Sequence, residues 1–124
     1  DPAMAALKAD CQTLIDNTIA ATGLTAAVGF HDDFAASVNN ADATGQLFNA
    51  LKQLKIPVTE GDLPMRASED FGRFGALPGT KSAMLFLGAG EAHPALHNPD
   101  YDFPDDLIAL GAAVSYQLAR SLLG

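Results

Sequence analysis

The sequence predicts an α/β domain of three layers, a sheet with helices on both faces, and three observations predict it. The run Ala83 to Leu87 is short, continuous and apolar and is bounded by turn residues, which is the pattern of a buried strand. Two segments beginning near Thr44 and Asp105 carry leucines at helical spacing, and such stripes demand burial against another layer. Of the 124 residues 48% are hydrophobic and 18% charged, which excludes a disordered chain and allows a core.

Taken in order, Met4, Leu7, Cys11, Leu14, Ile15, Thr18 and Ile19 recur at helical spacing. Asp1-Pro2 offers a cap followed by proline at the first helical position, and Gly23 is the expected stop. Leu24, Ala26, Val28 and Phe30 alternate, which predicts an edge or half-buried strand. The His31-Asp32-Asp33 run that follows is read as a solvated turn. Three adjacent residues on an extended chain cannot all point at one ion.

Phe34 to Asn40 reads as a crossing segment. Asp42 or Thr44 then caps a helix striped by Leu47, Phe48, Leu51 and Leu54, which Pro57 stops. In Pro64 to Phe74, Ser68, Glu69 and Asp70 are read from residue types as a helix start, with the serine as cap and the acids in the first turn. The same cluster is also compatible with acid/base or metal chemistry. Gly75 to Lys81 is a loop. The last helix opens at Phe103-Pro104-Asp105-Asp106 and buries Leu107, Leu110, Val114, Leu118 and Leu122, while Gly111 within it implies close packing.

The stretch that organises the chain is Ser82 to Asp102. Gly88 and Gly90 turn the backbone at the carboxyl end of the expected strand, where open α/β sheets place their ligands. His97 follows between Pro94 and Pro99, with Asn98, Asp100 and Asp102 as polar neighbours. A single loop histidine is more often a surface residue than a ligand. His93 could join it only across a helical turn, which Pro94 opposes, so a supporting or exposed role is expected for it.

The wording around these residues is more specific than their types. Leu96-His97-Asn98-Pro99, Tyr101-Asp102-Phe103, Asp105-Asp106 and Gly111-Ala112-Ala113 closely resemble the C-terminal signature of the M20 metallopeptidase and amidohydrolase family. The nearest likeness is to the branch of aminoacylases, hippurate hydrolases and auxin-conjugate hydrolases. Ser68-Glu69-Asp70-Phe71 is similar to a motif that lines the substrate side of that family's active site. The resemblance implies a zinc-peptidase-like α/β/α catalytic domain over residues 38–124, preceded over 1–37 by a helix and strand of the inserted lid, or dimerisation, domain. It implies that His97 is a metal ligand. It also implies that Ser68, Glu69, Asp70, Gly88, Gly90 and Asn98 line the site, with two divalent ions, zinc or manganese, in the whole enzyme. The expected substrate is a small N-acyl amino acid or dipeptide-like conjugate, and a homodimer is a possible assembly.

The family's other ligands and its general base belong to an N-terminal catalytic segment that these residues do not contain, so a C-terminal portion with no catalytic base, inactive alone, is expected. A noncatalytic binding module derived from the family is the alternative. Seven basic against 15 acidic residues give a net charge of −8, which repels phosphate backbones and anionic membranes. Nucleic acid and membrane are therefore not expected partners. No apolar run approaches the roughly 20 residues that span a bilayer. The lone Cys11 cannot form an internal disulfide, which makes the cytoplasm the expected compartment.

Overall fold

A computed structural model describes residues 2–59 and 69–124. Its regular elements are α1 (Pro2–Ala20), α2 (Ala41–Gln53), α3 (Gly72–Gly75) and α4 (Asp106–Leu123).

Helix α1 forms where the apolar spacing predicts it and gives way to a turn in which Gly23 adopts φ 71°. None of its residues is buried, and Met4, Leu7 and Leu14 lie exposed. Its tether is polar. Lys8 pairs with the Asp33 carboxylate, and its ammonium stands 5.1 Å from the centre of the Phe30 ring. Residues 24–34 therefore run back beside the helix. The Asp1 cap lies outside the described residues.

Helix α2 begins at least two residues earlier than the sequence suggests. Asn40, neither Asp42 nor Thr44, is the cap: its Oδ1 accepts from the N–H groups of Asp42 at 3.0 Å and Ala43 at 3.2 Å. Asp42 instead pairs with Lys81 at 2.6 Å. The helix stops before Pro57 is reached, with Lys55 in the left-handed region at φ 57°. The Ile56 N–H returns to the Leu51 carbonyl at 3.0 Å, which closes the end as a Schellman motif.

Helix α4 starts on 3₁₀-type bonds from Leu107 to Pro104 and from Ile108 to Asp105. It packs on α2, and among the described residues the buried apolar ones are Ala50, Leu51 and Val114. Gly111 faces Leu87 so closely that a Cβ there would lie 3.3 Å from the leucine Cδ1. This is the close approach that a glycine inside the helix implies. Of the expected stripe, Leu107, Leu110 and Leu118 are half-buried, but Leu122 is exposed.

The three-layer α/β/α expectation is not met, because no strand or sheet forms among the described residues. Leu24–Phe30 lies along α1 and Ala83–Leu87 lies against α2 and α4, so the two expected strands do not pair. A strand without a ladder partner has no hydrogen bonds to stabilise it. Ala83–Leu87 finds a substitute on one side only. The Asn39 amide spans the backbone of Met84, accepting from its N–H at 2.8 Å and donating to its carbonyl at 3.2 Å. Beside it the Asn40 N–H donates to the Ser82 carbonyl at 2.8 Å. Leu85, Phe86 and Leu87 consequently remain exposed.

The accessible surface of 9994 Å² shows how open the packing is, since a folded monomer of this mass exposes about 6,300 Å². A cleft of about 670 Å³ between α2, α4 and residues 84–88 is lined by Leu47, Phe48, Met84, Phe86, Leu110 and Val114 among others. No described helix is long and apolar enough to cross a membrane.

Candidate functional site

The His97 loop is built from successive tight turns. Gly90 adopts φ 99°, a conformation that favours glycine, and its carbonyl accepts from the His93 N–H at 3.3 Å. Two further turns follow, with Asn98 N–H to the Ala95 carbonyl at 3.1 Å and Tyr101 N–H to the Asn98 carbonyl at 3.0 Å. His97 is the third residue of the first of these. It takes φ 69°, in the left-handed region that glycine or asparagine normally supplies at this place in a turn.

The result is an imidazole displayed to solvent. His97 and Asn98 are exposed, and among the described residues neither side chain has a hydrogen-bond partner. Gly88 borders the large cleft, and Gly90 borders a smaller one of about 230 Å³ that also touches Leu87, His93, Tyr101 and Phe103. The loop thus brings Gly88, Gly90, His97 and Asn98 into one continuous segment.

The acidic motif lies elsewhere along the chain. Ser68 is outside the described residues, Glu69 is half-buried and Asp70 is exposed. The Asp70 carbonyl accepts from the Arg73 N–H at 3.0 Å as the single turn of α3 begins. That turn is seated on residues 35 and 36: Gly72 is buried, and a Cβ added to it would lie 2.1 Å from the Ala35 oxygen. Arg73 reaches across to the Asp33 carbonyl at 3.0 Å. No hydrogen bond or ion pair among the described residues joins Glu69 or Asp70 to His97.

No group of three or more His, Cys, Asp or Glu side chains is placed to hold a metal ion among the described residues. The acids with clear partners serve the scaffold. A hydrogen bond from Lys8, reinforced by its charge, holds Asp33 below the ordinary carboxylate pKa, and Lys81 does the same for Asp42. In the His31-Asp32-Asp33 run, Asp32 takes a positive φ of 54° and Asp33 is held by Lys8.

Two residues of the loop carry more than their sequence context suggests. His93 is half-buried, with Nδ1 2.9 Å from the Pro94 carbonyl, and its ring meets Tyr101 edge-on at 5.4 Å. Their positions, four residues before and four after His97, were the available signal.

The model of one protein family, peptidase family M20/M25/M40, matches residues 6–121. No curated protein and no solved structure matches the chain.

Proposed function

Because this chain belongs to peptidase family M20/M25/M40, whose members are generally metal-dependent hydrolases, we propose that it is the C-terminal portion of a metal-dependent amidohydrolase. The substrate we assign is the amide bond of an N-acyl amino acid or a dipeptide-like conjugate, in the aminoacylase and hippurate hydrolase manner, with zinc or manganese as the metal. The observation that carries the reading is His97. It lies within the family match, at the third residue of a tight turn with its imidazole exposed to solvent, and no hydrogen bond engages that side chain among the described residues. Residues 1–37 are assigned to the lid and 38–124 to the catalytic domain.

The described residues do not make a two-ion centre by themselves. One imidazole cannot hold two ions, and among the described residues no carboxylate is joined to it. His97 would contribute one ligand, Glu69, Asp70, Gly88, Gly90 and Asn98 would border the substrate, and the remaining ligands and the base would come from other residues of the enzyme. The net charge of −8 favours a small-molecule substrate over a nucleic acid. The cytoplasm is the compartment we assign.

A second reading, a noncatalytic interaction module, is favoured by the exposed apolar surface of Leu85 to Leu87. One comparison separates them. In the enzyme containing this chain, His97→Ala should lower chelator-sensitive hydrolysis of N-acetyl and N-benzoyl amino acids by at least about 100-fold, with loss of bound metal by elemental analysis. Unchanged metal content and turnover would refute the ligand assignment.

A further inference from the structure

We propose that His93 and Tyr101 form a clasp that holds the His97 turn in its left-handed conformation, which makes both of them positioning residues for the site. The inference rests on the reading of His97 as the functional side chain.

The loop has few other means of holding that shape. Residues 95 to 100 are all exposed, so their turn hydrogen bonds compete with water. A non-glycine residue at positive φ persists only where its surroundings over-determine it. The half-buried residues His93, Pro94 and Tyr101 stand at the two ends of the arch. His93 contacts both of the others.

The chemistry of the clasp is specific. A carbonyl can only accept, so the 2.9 Å contact with Pro94 puts the His93 proton on Nδ1 and fixes the ring plane against a residue whose φ is itself locked. That fixed ring meets Tyr101 at 5.4 Å with an interplanar angle of 73°, an edge-to-face pair. The pair ties residue 93 to residue 101, with His97 midway. His93 and Tyr101 both line the smaller cleft, together with Leu87, Leu96, Phe103 and Leu107. Tyr101 acts through its ring, because its hydroxyl has no hydrogen-bond partner among the described residues.

The test uses the isotopically labelled 124-residue chain and reads the NOE between the amide and Hα protons of His97. These protons approach more closely at positive φ, so this NOE should be strong in the wild type. Tyr101→Phe should keep it. His93→Ala and Tyr101→Leu should reduce it to the intensity at Asp100, while the amide shifts of α2 and α4 stay in place. A weak His97 NOE in the wild type, an unchanged one in both disrupting variants, or its loss in Tyr101→Phe would each overturn the proposal. Should His93→Ala disturb α2 and α4, Tyr101→Leu is read alone: loss of the His97 NOE supports the clasp and its retention overturns it. Neither metal nor turnover enters this measurement. Failure of the clasp is thereby distinguishable from failure of the ligand assignment, which rests on bound metal and rate in His97→Ala.

Discussion

Gly72→Ala is the sharpest test of how the acidic motif is positioned. The added Cβ would lie 2.1 Å from the Ala35 oxygen, 2.6 Å from the Ala36 oxygen and 2.7 Å from the Ala36 carbonyl carbon. These are backbone atoms, with no rotamer that could swing aside, so accommodating the methyl falls at the upper end of overpacking costs, about 3 kcal/mol. The alternative is for α3 to leave its seat. That gives up the half-buried Phe71 side chain, roughly 1 kcal/mol, and the Arg73 bond to the Asp33 carbonyl, roughly another. Undocking at about 2 kcal/mol is the cheaper route, so the variant should release α3 without unfolding α2 and α4. Amide spectra and hydrogen exchange decide this. Signals of residues 33–36 and 70–75 should shift and lose protection while those around Leu51 and Val114 hold. In the enzyme, turnover should fall because Glu69 and Asp70 immediately precede the released turn. Wild-type shifts across both segments would show that the contact is not there.

Gly111→Ala should behave oppositely. The helix gains about 1 kcal/mol, and the neighbour at 3.3 Å is the tip of Leu87, a side chain 36% exposed and free to turn outward, so a rise in urea midpoint is expected and a fall would refute that freedom. Leu51→Ala removes the largest of the buried apolar side chains among the described residues and should cost about 2 to 5 kcal/mol, seen as loss of a cooperative urea transition; a transition with unchanged midpoint would count against the α2–α4 core. Asp33 carries a pH prediction. Its folded pKa is depressed by Lys8, so the stabilisation is fully present above the ordinary aspartate value of about 3.9 and is lost as pH falls through the lower folded value. The ¹³C carboxyl titration of Asp33 should have its midpoint below that ordinary value and move upward in Lys8→Ala; an ordinary midpoint in the wild type would refute the tether.

The helices were legible because apolar spacing is local information. Leu47, Phe48, Leu51 and Leu54 declare α2 without reference to the rest of the chain. Its start was obscured because Asn40, Asp42 and Thr44 are all competent caps, and only the backbone path decides which oxygen meets free N–H groups. The strands failed for a different reason. An apolar run becomes a strand by pairing, and pairing depends on residues far away in sequence. At Ala83 to Leu87 the neighbour proved to be the Asn39 side chain, which satisfies one residue where a strand would satisfy several. The loop was legible in its glycines and prolines. The positive φ of His97 was not, since a histidine carries no sequence mark of that conformation.

The open surface and the incomplete ligand set have a common cause in the proposed enzyme. The stripes of α2 and α4 are wider than one helix pair can bury, so beside the buried Ala50, Leu51 and Val114 they leave an apolar cleft bordered by Met84, Phe86 and Gly88. The backbone of Leu85 to Leu87 has no hydrogen-bond partner among the described residues, and the chain passes from it through Gly88 and Gly90 into the loop that displays His97. A segment that paired with this run would cover its side chains and, continuing in the same direction, arrive beside the imidazole. Hydrophobic burial and completion of the proposed site would then be served by one contact.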